Sequence, residues 1–218
     1  MATPYLQFWE EEVSSTQDLA RSRLDLLPVV VAAQRQTAGR GRSGAAWETA
    51  PRALAVSAAL HLSEQDQRPF SAMAGVAAAR AIEGLALKWP NDLLLGGAKV
   101  GGILVERSSG VMVIGMGVNI WWPDAPAGVA ALRETDPGEE THALIAGLWA
   151  AELFSLIEAD GWPLDEYRRI CETLGRDITW EPDGEGHAVD IHPDGGLIVE
   201  IEGRRETLTS GAIRHVRG

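Results

Sequence analysis

Val29 to Ala33 is an uninterrupted run of small or β-branched residues between Pro28 and a polar stretch, and it predicts a strand buried on both faces. Strand-like runs recur at Tyr5–Trp9, Leu54–Leu62 and Ala86–Trp89, the last broken by Pro90. Lys99–Arg107 and Val111–Ile120 read as a hairpin around the turn Ser108-Ser109-Gly110. Helical patterns begin at Ser14-Ser15-Thr16 and run through Leu27, the hydroxyls being suited to bond the free amides of a helix start. Further helices are predicted over Ser71–Leu85, Thr141–Ala159 and Leu164–Leu174. On the long third one, the near-helical spacing of Leu144, Leu148, Leu153 and Leu156 assigns them to the core.

From Asp177 the pattern changes to short alternating segments, Ile178–Trp180, Ala188–Ile191, Leu197–Glu202 and Glu206–Thr209, separated by Gly and Asp turns. That pattern predicts a small all-β barrel and a boundary near Gly175, dividing the chain into residues 1–174 and 175–218.

The length of 218 residues suits one sizeable core, or a large domain with a small one appended. With 19 basic and 31 acidic residues the net charge is −12, which argues against non-specific nucleic-acid binding while leaving room for a local basic patch. The single Cys171 excludes an intramolecular disulfide and a cysteine-rich metal site, and reads as a packing residue. The five histidines show no metal-ligand spacing. No apolar run approaches the roughly 20 residues of a membrane span. The first twelve residues carry Glu10, Glu11 and Glu12 and no basic segment, so no signal peptide and a cytoplasmic location are expected.

Three segments carry candidate chemistry. In Gln36-Thr37-Ala38-Gly39-Arg40-Gly41-Arg42-Ser43-Gly44 the glycines admit close backbone approach, while Arg40 and Arg42 offer fixed charge to a carboxylate or phosphate. Gly39-x-Gly41-x-x-Gly44 also matches a dinucleotide fingerprint, but Trp47 to Arg52 continues as loop and then strand where that motif needs a helix. A solvated basic loop is the plainer alternative. In Lys88-Trp89-Pro90-Asn91-Asp92, Pro90 bends the chain out of a strand and leaves Asn91 and Asp92 free to bond a ligand. Lys99, followed by Gly101-Gly102, begins the next strand; a lone lysine there is usually solvated. Gly115-Met116-Gly117-Val118-Asn119 sets two glycines and an amide in an apolar strand, a pattern that a β-bulge also explains.

Taken together, these segments resemble the catalytic core of the biotin–protein ligase family, a branch of the biotin/lipoate ligase superfamily, over about three quarters of the chain. Ser15-Thr16, Gln36 to Arg42, Lys88 to Asp92, Lys99 to Glu106 and Gly115 to Asn119 stand in the family's order. The tail, particularly Gly195 to Val199 and Gly211 to Arg217, is similar to the family's SH3-like C-terminal domain. The resemblance implies an α+β fold, with a mixed sheet flanked by helices (a class II synthetase-like core) and a small SH3-like β-barrel. It implies activation of biotin by ATP with Mg²⁺ to an acyl-adenylate. Biotin then passes to a lysine of a biotin carboxyl carrier domain of a biotin-dependent carboxylase.

By the same resemblance, Ser15, Thr16, Gln36 and Arg40 would bond the ureido ring of biotin, and Gly39 and Gly102 would admit backbone contact. Arg42 and Lys99 would neutralise the biotin carboxylate and the α-phosphate. Two like unit charges 4 Å apart repel by about 4 kcal/mol at an effective dielectric of 20, so cations there lower the barrier. Trp47 would wall the nucleotide site, Asn91 and Asn119 would contact the nucleotide or order the loop near it, and Asp92 would orient or deprotonate the acceptor lysine. The catalytic set that the resemblance implies is Lys99, Arg42, Arg40 and Asp92, with no protein metal site expected.

The chain departs from the family at Ala45, where a further loop arginine is usual; Arg35 and Arg52 are the candidates to compensate for it. Gln17 replaces the commoner Asn after Ser-Thr. Ser15-Thr16 arrives too early for an N-terminal helix-turn-helix, so with the acidic net charge DNA is not an expected partner; lacking an apolar span, neither is a membrane, and a monomer or homodimer is expected. The rival readings are a lipoate or octanoate ligase of the same superfamily and a non-catalytic biotin-binding homologue.

Overall fold

The computed structural model describes residues 4–216 except 27, 46 and 139; Leu27 and Arg217, which bounded segments in the sequence reading, lie outside the described residues. The first part of the chain runs β1 (Leu6–Val13), α1 (Thr16–Ser22), β2 (Val29–Gln36), β3 (Arg52–His61), α2 (Phe70–Ala81), β4 (Leu85–Lys88), β5 (Asp92–Leu95), β6 (Ala98–Ser108) and β7 (Val111–Trp121). Two helices follow, α3 (Glu140–Glu158) and α4 (Leu164–Ile170). The remainder is β8 (Asp177–Trp180), β9 (Gly184–Ile191), β10 (Leu197–Ile201), β11 (Arg204–Leu208) and β12 (Ile213–His215).

Strands β1 to β7 form one sheet in the order β1-β2-β3-β7-β6-β5-β4. The β1–β2 pair is parallel and the other pairs are antiparallel, so the sheet is mixed. Period-two alternation sends its side chains to two cores. Val29 and Val31 of β2, Ala59 of β3, and Val111 and Val113 of β7 pack with Ala20 of α1 on one face. Val30, Ala32, Leu54, Val56, Ile114 and Met116 face the other way, into a larger core with α2 and α3. Coverage on both faces explains why β2 opens as a run without polar interruption. The second sheet is antiparallel, in the order β11-β10-β9-β8-β12, the arrangement expected of an SH3-like unit. The fold is therefore α+β, as the resemblance implied.

The differences from the sequence reading have physical causes. Leu144 and Leu148 are 64% and 45% exposed, whereas Leu153 and Leu156 are buried. Five residues separate Leu148 from Leu153, a turn of about 140° on a helix, so the four cannot share a face. Ile145, Trp149, Leu153 and Phe154 make the buried side instead. The first helix stops at Ser22 and is followed by a 3₁₀ turn over Leu24–Leu26. Ser15 stands at its N-cap but makes no side-chain cap bond. Helices α2 and α4 end earlier than expected, at Ala81 and Ile170.

Candidate functional site

One face of the large sheet changes character along its strands. Where α1 covers it, the residues are Ala59, Val111 and Val113. Beyond the helix they become Ser57 opposite Gly115 and Ala55 opposite Gly117. Gly117 in turn pairs with Gly102, Gly102 with Asp92, and Asp92 with Lys88. A row of minimal side chains thus crosses the sheet and ends on charged residues, forming the floor of a cavity of about 750 Å³. Its walls come from the start of α1, the loop after β2, the β4–β5 turn, and Glu181 with Ser210–Ile213 of the second sheet.

The end beside α1 is polar, and its side chains are buried. Ser15, Thr16, Gln17 and Ser57 are each at most 5% exposed. The Thr16 amide and hydroxyl donate to Gln36 Oε1 at 2.8 and 3.1 Å, and the Thr16 and Ser57 hydroxyls lie 2.8 Å apart. Gly115 keeps this end open, because a Cβ there would stand 3.0 Å from Gln17 Oε1 and 3.1 Å from Ser57 Oγ. A buried polar cluster is costly unless each group finds a partner, so this end suits a ligand carrying both donors and acceptors.

The loop after β2 is tied down at its start by Thr37 N–H to Val13 O and Ala38 N–H to Ser14 O, both 2.9 Å. It folds back so that Trp47 N–H donates to Gly39 O at 3.0 Å. The Trp47 indole then lies over the glycine floor: a Cβ on Gly117 would be 3.3 Å from the ring, and one on Gly102 3.6 Å. Larger residues at these positions would displace the indole.

The opposite end is cationic. Arg42 Nη1 donates to Asn91 Oδ1 and to Gly211 O, both at 3.2 Å. Lys99 lies 2.5 Å from Asp92 and 5.8 Å from the Trp47 ring centre, and Lys88 lies 4.0 Å from Asp92. Asn91 is fixed by exchange with Ile103, its Nδ2 donating to Ile103 O and its carbonyl accepting from Ile103 N, both at 2.9 Å. The Trp89–Pro90 peptide is cis. Trp89 is buried, its amide donating to Thr173 Oγ1 at 3.0 Å and its indole to Gly195 O at 2.9 Å. Three cations above a backbone floor can hold two or more anionic groups close together.

Ser15, Thr16, Gln36, Arg40, Arg42, Trp47, Asn91, Asp92, Lys99 and Gly102 therefore all line one cavity. Gly39 does not line it but shapes the neck of the loop, where a Cβ would stand 3.1 Å from Gln36 Nε2 and 3.2 Å from Trp47 Cβ. Asn119 is 3% exposed and off the cavity, its Nδ2 donating to Ala130 O at 3.0 Å. Residues 128–132 in turn fix Lys99, whose N–H donates to Gly128 O at 2.9 Å and whose carbonyl accepts from Ala130 N at 2.8 Å. The Arg40 guanidinium turns to Asp18, whose bonded carboxylate holds it above its usual range, and the guanidinium keeps Asp18 below its own.

Arg35 and Arg52 do not replace the arginine absent at Ala45. Arg35 pairs with Glu12 and Arg52 with Asp136, and neither lines the cavity. Cys171 is buried and its thiol is pushed up by that burial, in keeping with a packing role. Sequence reasoning missed Ser57, Glu181 and the Ser210–Ala212 wall. Ser57 had a signal, a hydroxyl in the every-other-residue series Ala53, Ala55, Ser57, Ala59.

Residues 9–120 match the Biotin/lipoate A/B protein ligase family. The biotin--[acetyl-CoA-carboxylase] ligase of Mycobacterium tuberculosis is 31% identical over 224 residues, covering 91% of this chain and 83% of that protein. The protein of the same description from Paracoccus denitrificans is 37% identical over 133 residues, or 52% of this chain and 55% of that one. Among solved structures, the biotin protein ligase of Aquifex aeolicus in complex with biotin and ATP superposes with a TM-score of 0.81 at 23% identity, covering 97% of this chain and 99% of that one. The Leishmania major biotin protein ligase in complex with biotinyl-5-AMP gives a TM-score of 0.66 at 23% identity, covering 99% and 100%. At those identities the structures establish a shared fold.

Proposed function

Because the chain belongs to the biotin/lipoate A/B protein ligase family, we propose that it joins biotin to protein lysines, activating the acid with ATP. The observation that carries this reading is the cavity's polarity: a buried polar end and a cationic end joined by a floor of small residues. A fused ureido ring needs buried donors and acceptors, whereas the dithiolane of lipoate offers nothing to Thr16, Gln36 and Ser57.

In this reading Ser15, Thr16, Gln36 and the Gly39–Arg40 stretch hold the ureido ring. The acyl chain follows the Gly102–Gly117 floor and brings the carboxylate to Arg42 and Lys99. A carboxylate oxygen bonds to the α-phosphorus of ATP, the bond from that phosphorus to the bridging oxygen breaks, and pyrophosphate leaves. Arg42 and Lys99 offset the repulsion of the meeting anions, so the residues act by position and charge. Mg²⁺ would arrive on the triphosphate, which suits an ion that keeps much of its water. Trp47 walls the nucleotide, Asn91 holds Arg42 on one side of it, and Asn119 orders the segment that fixes Lys99. The acceptor amine then attacks the acyl carbon, AMP departs, and Asp92 takes or orients the amine proton.

The acceptor is a lysine of a biotin carboxyl carrier domain, a reading supported by the carboxylase ligase names of two relatives. Residues 1–174 form the catalytic unit and 175–218 the appended SH3-like unit, which lends Ser210–Ile213 to the cavity. The reaction takes place in the cytoplasm; among the described residues no helix is long and apolar enough to cross a membrane.

The test is intact-mass analysis of a carrier domain incubated with the protein, Mg-ATP and either biotin or lipoate. A mass gain with biotin alone, lost in Lys99→Ala, is the expected result. A gain with lipoate alone moves the chain to the lipoate branch, and no gain with either, together with no pyrophosphate release, leaves a binding protein without transfer.

A further inference from the structure

Arg40 is the one loop arginine that leaves the cavity's axis. Its guanidinium makes a two-pronged bond to Asp18, Nη1 to Oδ2 and Nη2 to Oδ1, both at 2.7 Å. Nη2 also lies 3.7 Å from Glu106 Oε1, and Arg21 donates to the other Glu106 oxygen at 3.0 Å. Two acids and two bases from α1, the loop and β6 thus alternate in one network. Asp18 directly follows Ser15, Thr16 and Gln17, the residues that line the polar end. Two residues beyond Arg40, Arg42 is drawn the other way, to Asn91 and Gly211. The loop is strapped across the cavity by two arginines pulling in opposite directions.

We propose that Asp18, supported by Glu106 and Arg21, is a positioning residue that holds Arg40 and so latches the 37–45 loop against α1 over the polar end. Arg40 acts on the acid substrate through this latch and the loop backbone it fixes, with its guanidinium turned outward. A two-pronged arginine–carboxylate bond has a fixed planar geometry that a lysine or a neutral amide does not reproduce. The inference rests on the biotin reading for its kinetic half alone.

The test is a double-substitution cycle on the full-length protein, comparing Asp18→Asn, Arg40→Gln, the pair together, and Asp18→Glu. Two readouts are taken: amide hydrogen exchange of residues 37–45 without ligand, and the KM values for biotin and ATP in biotin-dependent ATP–pyrophosphate exchange. Each single neutral variant is expected to speed exchange in the loop and to raise the biotin KM by about 5- to 10-fold, as an ion pair of roughly 1 kcal/mol allows. The ATP KM should move much less, the double variant should be no worse than either single one, and Asp18→Glu should recover most of the loss. Unchanged loop exchange in Asp18→Asn overturns the latch. So does an Arg40→Gln defect well beyond that of Asp18→Asn that multiplies in the double variant, since Arg40 would then touch the substrate directly. A wild-type protein without biotin-dependent exchange refutes the biotin reading instead, and the hydrogen-exchange readout still decides the latch.

Discussion

The Lys99 ammonium lies 2.5 Å from Asp92 Oδ1, while Lys88 approaches the other oxygen of the same carboxylate at 4.0 Å. Asp92 is therefore the resident anion of the cationic end, and under the proposed function incoming substrate anions would compete with it for Lys99. In the proposed reaction, the carboxylate released in this way would take or orient the proton of the acceptor amine. Asp92→Asn keeps the shape and removes the charge. Transfer from preformed adenylate to the acceptor should slow by about 100-fold, the lower range of a lost general base. Adenylation should fall by less than about 10-fold. Single-turnover measurement of each half-reaction separates the two, and an unchanged transfer rate removes Asp92 from the chemistry.

Gly101 and Gly102 are neighbours in β6 with opposite obligations. A Cβ on Gly101 would collide with the Gly117 carbonyl of β7, whereas one on Gly102 meets nothing closer than 3.5 Å. Gly101→Ala should cost stability, about 1–3 kcal/mol as overpacking does. Gly102→Ala should leave the unfolding midpoint nearly unchanged and weaken binding instead, because its methyl enters the cavity floor. Urea denaturation and biotin titration of both variants make the comparison.

Ala45 lines the cavity and its carbonyl accepts from Gly41 N at 2.7 Å, so its backbone is already placed. Ala45→Arg adds a cation near the anionic intermediate without asking the loop to refold. Release of the acyl-adenylate should slow by roughly 5- to 10-fold, about 1 kcal/mol for a partly solvated ion pair. Rapid filtration of the preformed complex reads this directly.

His215 joins the second sheet to Thr173, with its Nε2 3.2 Å from Thr173 Oγ1. Burial first, then the charges of Lys88 and Arg176, push its imidazole down to about 4, with Asp92 opposing. The folded protein thus holds it neutral where the unfolded chain, with an ordinary histidine, begins to take a proton below about pH 6.5. The unfolded state binds more protons over that window, so the stability His215 contributes is complete above about pH 6.5 and is lost as the pH falls towards 4. The side chain is partly solvated, which reduces the effect to about 1 kcal/mol. Urea midpoints at about pH 7 and about pH 5 should differ less in His215→Gln than in the wild type.

What the sequence revealed and what it hid follow from range. The glycine and arginine segments were legible because their residue types are unusual for the elements that carry them: glycines in an apolar strand, or paired charges beside a proline. Strand β5 was hidden, since Asp92 to Leu95 follows a proline turn and is too short to show a period. Leu144 and Leu148 looked like core because leucine at helical spacing usually is; only the tertiary placement of Trp149 and Phe154 decides which side of α3 is inward. Glu181 and Ser210 carry no local mark, and Gly211-Ala212 marked the tail domain without pointing to the cavity. They reach the cavity because the second sheet folds back onto a motif some 100 residues earlier in the chain.

That return contact has a consequence for how the protein comes apart. Trp89 is 3% exposed, and its two N–H groups end on Thr173 and on Gly195, in the turn before β10. If the C-terminal strands melted alone, the indole would lose its acceptor inside a core, at a cost of about 1–3 kcal/mol for a stranded buried donor. Partial melting is thereby penalised at the residue that precedes Pro90, Asn91 and Asp92. This coupling predicts that heat which frees the tail also unseats the residues lining the cavity, so that activity and the last sheet should be lost in one transition, which thermal melts followed in parallel by circular dichroism and by residual activity would check.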